Sequence, residues 1–252
     1  MNHWLGLVIG NSRLHWAWFE AETLQTTWNT PHLSEKINSV TSLNQNLLER
    51  YHNITKTDPP TIYLASVVPL QTALWQNFPH LRQITLNDIP LQNIYPTLGI
   101  DRALAIYGAG ETYHYPCLVI DAGTALTFTG VDNSKTLIGG AILAGLRSQF
   151  NALHQQTAAL PQLTVPCNLP PLWALNTPEA ISSGIIHTLI AGILYYINDW
   201  LKQYPHSSIT LTGGDSQIIF QYLKALSPQI ATKILVDCNL SFWGMQSLLI
   251  NK

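Results

Sequence analysis

Four short stretches of the chain combine glycines with a carboxylate or hydroxyl in ways that suit phosphate chemistry. In Ile120-Asp121-Ala122-Gly123-Thr124, an Asp ends an apolar run two residues before a glycine. Such an Asp can hold a cation while the amides of the turn face phosphate oxygens. Gly123 lets the backbone approach closely, and Thr124 adds a hydroxyl donor. The same residue types also make ordinary hairpin turns. Gly10-Asn11-Ser12 is a second turn of this kind, and two such turns facing each other would grip a phosphate chain from both sides. Leu211-Thr212-Gly213-Gly214-Asp215 sets a glycine pair after an apolar run, where bare backbone can accept a flat ring such as adenine. Its plainer reading is a strand-to-helix turn with Asp215 as the helix cap. In Gly99-Ile100-Asp101-Arg102, Asp101 can serve as general base or orienting acceptor for a hydroxyl, and Arg102 can pair with an anion. An Asp before an apolar helix is equally an N-cap.

The elements around these stretches follow from periodicity. Leu5 to Ile9 and Leu14 to Phe19 are apolar runs joined at Gly10-Asn11, which predicts a strand hairpin. Apolar residues at Leu33, Ile37, Val40, Leu43, Leu47 and Leu48 predict a helix over 33–52, entered at Pro31. A strand is expected from Thr61 to Val68, a helix from Gln71 to Phe78, and a short strand from Gln83 to Leu86. Asp101 opens a helix of small and apolar residues reaching Tyr113. The opening pattern then returns: strand Leu118–Ile120, turn Asp121–Thr124, strand Ala125–Val131. Helices over 143–160 and 178–202, a strand Ile209–Thr212 and a last helix over 217–225 complete the reading. The echo of the first turn in the second predicts two similar halves, 1–113 and 114–252.

Composition narrows the function. Of the 252 residues, 46% are hydrophobic and only 10% charged, so a large core is available and Asn, Gln, Ser and Thr must carry solubility. The net charge is −2 with no basic run, which argues against a nucleic-acid partner. Cys117, Cys167 and Cys238 are dispersed, consistent with a reducing compartment. The nine histidines show no zinc-ligand spacing, and no G-x-x-x-x-G-K-[ST] phosphate loop is present. The start lacks a signal-peptide pattern. The apolar stretch Gly184–Ile197 is short for a bilayer span and broken by His187 and Thr188, so it reads as a buried helix. The expected location is the cytoplasm, without a membrane partner.

The order of turn, acidic helix start, second turn and Thr-Gly-Gly resembles the acetate and sugar kinase, actin and chaperone superfamily. More closely, the chain resembles type III pantothenate kinases over nearly its whole length. The residues carrying this are 8–12, 66–69, 95–102, 119–127, 139–145, Asn176-Thr177 and 212–214. The Gly-x-Asp-Arg and Gly-Gly-Ala-Ile segments are the more family-specific ones. The resemblance implies an α/β fold of two similar actin-like (ribonuclease H-like) halves around an ATP cleft. It implies phosphorylation of pantothenate to 4′-phosphopantothenate, on the route to coenzyme A. Asp101 matches the proton acceptor for the pantothenate hydroxyl. Gly10, Asn11, Ser12 and Arg13 fall in the ATP-phosphate turn. Thr124 matches an ATP contact, and Gly213 and Gly214 an adenosine-binding segment. Tyr95, Gly99, Ile100, Asp101, Arg102 and Thr177 match substrate-binding positions. Asp121 matches the residue that holds a monovalent cation, potassium or ammonium, beside a Mg²⁺ ion that comes with ATP. The resemblance also implies a homodimer.

One position departs from the family pattern. The first turn is usually entered with an Asp two residues before the glycine, and here that residue is Val8; the residue after Ser12, often Asn, is Arg13. Either ATP, water and Asp121 suffice to hold Mg²⁺ while Arg13 contacts phosphate, or the chain is a non-catalytic nucleotide or pantothenate sensor. Retention of Asp101, Asp121 and Thr124 favours the enzyme.

Overall fold

The computed structural model describes residues 3–37 and 60–250, and its contacts divide into two compact units. The first gathers Met1–Pro90, Tyr95–Leu104 and Ser241–Lys252; the second gathers Leu91–Ile94 and Ala105–Leu240.

In the first unit, strands β1 (His3–Ile9), β2 (Leu14–Glu20), β3 (Thr23–Thr30), β4 (Thr61–Ser66) and β5 (Leu81–Gln83) form one sheet in the order β3-β2-β1-β4-β5. The β1–β2–β3 pairings are antiparallel, whereas β4 and β5 add in parallel. Because strand side chains alternate, Leu5, Leu7 and Ile9 of β1 join Leu14, Trp16 and Trp18 of β2 on one face. That face packs with Ile62, Leu64, Trp75 and Phe78. On the other face, a Cβ at Gly6 would lie 3.0 Å from the Phe242 ring and 3.3 Å from the Met245 sulfur. Helix α7 (Leu240–Ile250) therefore covers this side of the sheet, with Trp243 edge-on to Phe19. Two expected elements differ. Gln71–Phe78 is a single turn, α1 (Pro69–Thr72), followed by a 3₁₀ turn at Ala73–Trp75; β5 precedes the expected Gln83–Leu86 strand, and Leu86–Asp88 is a 3₁₀ turn capped by Thr85. Pro69 starts the helix early, and the following short run buries only Trp75. The helix expected over 33–52 falls mostly outside the described residues; residues 33–37 are not helical.

The second unit repeats the topology. Strands β6 (Cys117–Ala122), β7 (Ala125–Val131), β8 (Leu137–Ala144), β9 (Ser208–Thr212) and β10 (Ile234–Val236) run in the order β10-β9-β6-β7-β8. Again a hairpin meander pairs with two parallel strands. Helix α2 (Ile100–Tyr113) leads into it. Helices α3 (Leu146–Gln156), α4 (Thr177–Gln203), α5 (Ser216–Leu226) and α6 (Pro228–Ala231) follow. Helix α4 buries Ile181, Ile185, Ile186, Leu189, Ile190, Ile193, Ile197 and Trp200. Together with Leu118, Ile120, Phe128, Ile219 and Leu223 they form the core of this unit. By length and composition α4 could cross a membrane, yet half of its most apolar window is buried within the protein, as in a core helix. Trp200 sits so close to β7 that a Cβ on Gly130 would be 2.5 Å from its ring. The expected helix over 143–160 starts later because Leu143 belongs to edge strand β8, whose outer residues are exposed. Strands β3, β8 and β10 and helices α6 and α7 add to the elements expected from sequence.

Candidate active site

The first turn is the β1–β2 hairpin. Gly10 N–H donates to the Arg13 carbonyl at 3.0 Å, leaving Asn11, Ser12 and Arg13 exposed at the tip. The His32 ring bonds the Gly10 carbonyl through Nε2 at 2.8 Å. A Cβ on Gly10 would lie 3.6 Å from Nε2 of His15. His15 pairs in register with both Val8 and Asn29. The turn is thus flanked by two imidazoles that the local motif does not reveal, although the hairpin register alone would have placed His15 opposite Val8. Crowding around the His15 ring lowers its pKa, and the Arg13 charge adds to this; the Asn29 hydrogen bond and the Asp101 charge act the other way. Val8 itself is buried and offers no ligand.

The same unit carries the Gly-x-Asp-Arg segment. Helix α2 begins at Ile100, and the Gly99 carbonyl accepts the Ala103 N–H at 3.0 Å. Gly99 therefore precedes the helix, and Asp101 lies inside its first turn rather than at the cap. The Asp101 carboxylate curls back: Oδ1 accepts the Arg102 N–H at 2.8 Å, and a Cβ on Gly99 would sit 2.5 Å from it. Only glycine leaves room for this rotamer. Burial pushes the Asp101 pKa above 3.8, opposed by the Arg102 amide and guanidinium and by His15. A raised pKa makes a carboxylate a better proton acceptor. Arg102 is buried and donates to the Tyr95 hydroxyl at 3.1 Å. Tyr95, Gly99, Ile100, Asp101 and Arg102 thus form one connected cluster.

The second turn is the β6–β7 hairpin, closed by Gly123 N–H to the Ala125 carbonyl at 3.1 Å. Asp121 is half-buried at the end of β6, in register with Thr127 on β7 and Thr212 on β9. Gly213 adopts φ +91°, and a Cβ there would meet Asp121 Oδ1 at 2.4 Å. The Thr-Gly-Gly segment therefore runs directly across the Asp121 carboxylate, while Gly214 faces open space. Asp215 does not cap α5 with its side chain; its carboxylate accepts Arg147 Nε at 2.7 Å instead. Thr177 is exposed at the start of α4, after the Asn176 cap.

Among the described residues no group of three His, Cys, Asp or Glu could hold a metal ion. A single carboxylate among backbone and hydroxyl oxygens is a hard, weakly charged donor set. It fits an alkali-metal ion at Asp121, and it does not fit zinc.

A family model described as type III pantothenate kinase matches residues 4–199. The chain belongs to the type III pantothenate kinase family. It is 50% identical to a type III pantothenate kinase of Nostoc sp. over 98% of this chain and 94% of the relative. With a Synechocystis sp. relative of the same description it shares 42% identity over 97% and 90% of the two chains. Solved structures support the fold. A Baf family protein from Campylobacter jejuni, described as a putative transcriptional activator, superposes with TM-score 0.65 at 22% identity, covering 98% of both chains. MreB5 of Spiroplasma citri bound to AMPPNP gives 0.52 at 10% identity, covering 100% and 97%. The two matching sheets and these neighbours show an α/β protein with an actin-like fold.

Proposed function

We infer that this chain transfers the γ-phosphoryl group of ATP to the hydroxyl of pantothenate, giving 4′-phosphopantothenate, the first step of coenzyme A biosynthesis. The family match supplies the activity. The observation that carries the mechanism is the Asp101 carboxylate, folded over Gly99 and made more basic by burial.

In this reading Asp101 accepts the proton of the pantothenate hydroxyl as its oxygen bonds to the γ-phosphorus. The bond between that phosphorus and the β–γ bridging oxygen breaks, and ADP leaves. Arg102, held by Tyr95, faces the pantothenate carboxylate, with Gly99, Ile100 and Thr177 completing the substrate contacts. The exposed turn of Gly10, Asn11, Ser12 and Arg13 contacts the phosphates. Thr124, Gly213 and Gly214 hold the nucleotide, with open space at Gly214 for the adenosine. Asp121 would hold potassium or ammonium, which would supply positive charge beside the phosphates, and the Mg²⁺ cofactor would be carried by ATP itself. Such positioning and charge neutralisation suffice for a loose phosphoryl-transfer transition state. The enzyme works as a cytoplasmic homodimer. An apolar groove of about 540 Å³ between α3 and α4, lined by Ala152, Leu153, Ile181 and Ile185, supports a partner copy.

A coupled assay for ADP release, with and without pantothenate and with sodium replacing potassium, tests this reading. ADP release that ignores pantothenate would overturn it. A non-catalytic sensor rests on Val8 alone, and neither the family match nor the curated relatives support it.

A further inference from the structure

The ion pair between Arg147 and Asp215 joins two segments far apart in sequence and belongs to none of the roles above. Arg147 is the second residue of α3, whose N-cap is Gly145 with no side-chain cap. This helix start is fastened to the second turn. Gly145 N–H donates to the Thr124 carbonyl at 2.9 Å, Ser148 Oγ donates to the same oxygen at 2.7 Å, and a Cβ on Gly145 would collide with the Gly123 carbonyl at 2.1 Å. Asp215 directly follows Gly213-Gly214, and its N–H donates to the Ala122 carbonyl at 2.9 Å. One arginine therefore ties the Gly123-Thr124 turn to the Thr-Gly-Gly segment.

The two partners are unequally placed. The Asp215 side chain is 7% exposed, whereas that of Arg147 is 67% exposed. A buried carboxylate needs a cation, but a cation in the first turn of a helix sits at the wrong end of the helix dipole. The guanidinium spends only Nε–H on Asp215. Its two terminal amino groups remain at the surface in a fork that matches a phosphate. Within 121–124, 145–148 and 212–216, Arg147 is the sole Lys or Arg, beside the carboxylates of Asp121 and Asp215. Without it, a triphosphate held by those turns would face two carboxylates and no cationic side chain.

We propose that Arg147 is a phosphate-contacting residue of this kinase, oriented by Asp215 so that its terminal amino groups engage the triphosphate of ATP. Asp215 is then a positioning residue, and lysine cannot replace arginine because one ammonium cannot span both partners. The proposal rests on the assignment of these turns to ATP.

Calorimetric titration of the full-length protein with AMPPNP, ADP and adenosine, together with steady-state kinetics, provides the test. R147Q should weaken AMPPNP and ADP about tenfold or more, the scale of a charge-assisted fork. Adenosine affinity and the KM for pantothenate should hold. R147K should resemble R147Q, and D215N should show a smaller loss of the same kind. Unchanged AMPPNP affinity in R147Q, or an equal loss of adenosine, would reduce the pair to a structural tie. Should R147Q fail to fold, R147K decides, and wild-type affinity there overturns the proposal. Failure of the wild type itself to bind AMPPNP would instead strike at the ATP assignment.

Discussion

The two hairpin turns each start with a glycine after a strand, spanning four residues in the first and three in the second, and differ further in what their strands place beside them. Aligned on Gly10 and Gly123, Val8 occupies in β1 the place of Asp121 in β6. In register, Asp121 lies between Thr127 and Thr212, two buried hydroxyl residues. Val8 lies between His15 and Ala65 and is 5% exposed. The second row can support a carboxylate and its cation, since hydroxyls satisfy what burial would leave unpaired. The first row is apolar except for an imidazole. One topology thus yields a row with a carboxylate between two hydroxyls and a row with an apolar side chain in the same place.

The largest expected effect separates Asp101 from both turns. Asp101→Asn should lower kcat by about 10²–10⁴, the usual worth of a positioned base, while AMPPNP affinity stays near wild type; comparable turnover would return Asp101 to a purely structural role. Next, Asp121→Asn should cost about 10–100-fold in kcat/KM and erase the difference between potassium and sodium buffers. Val8→Asp should not restore a second cation site. It should instead lower stability by about 1–3 kcal/mol, the cost of an unsatisfied buried polar group, read by thermal melting. A rise in activity with Val8→Asp would mean the first row is ready for a metal after all.

Glycine substitutions sharpen the same contrast at smaller scale. Gly213→Ala meets both a positive φ and a 2.4 Å clash with Asp121, so it should cost about 1–3 kcal/mol and weaken the potassium response. Gly10→Ala meets nothing closer than 3.6 Å and should change the melting temperature little.

The smallest effect is the pH dependence. Because burial raises the Asp101 pKa above 3.8, the acid limb of kcat/KM should fall above the ordinary carboxylate range. The folded state holds the Asp101 proton more firmly than the unfolded chain. The associated stability is therefore full below 3.8 and lost as pH rises through the folded value. Asp101→Asn should then melt higher than wild type at neutral pH and no higher in acid.

Much of this was legible in the sequence because it is local. Glycine next to a strand end marks both hairpins, and strand Ala125–Val131 and helices α2 and α4 lie within a residue or two of their expected bounds. What escaped depends on distant partners. β3 reads TLQTTWNT, too polar for a strand until its alternating half-burial against β2 is seen. Leu143 and Ala144 fall within the helix expected over 143–160, yet β7 pairs with them as the end of edge strand β8. The Gly99 requirement hides in a side chain folding back, and the partner of Asp215 lies in α3, 68 residues away. Cap preference placed Asp215 on its own helix, and an ion pair with the exposed Arg147 took it instead.

Helix α7 sets a timetable. Phe242 and Met245 press on Gly6, and a Cβ on Gly244 would stand 2.3 Å from the Leu104 carbonyl. A ribosome releases these helix residues long after β1, so the sheet that is translated first waits with one face bare until the second unit has been made. The first-built sheet is finished last, and a chain shortened before residue 241 should be a client of chaperones rather than a smaller kinase.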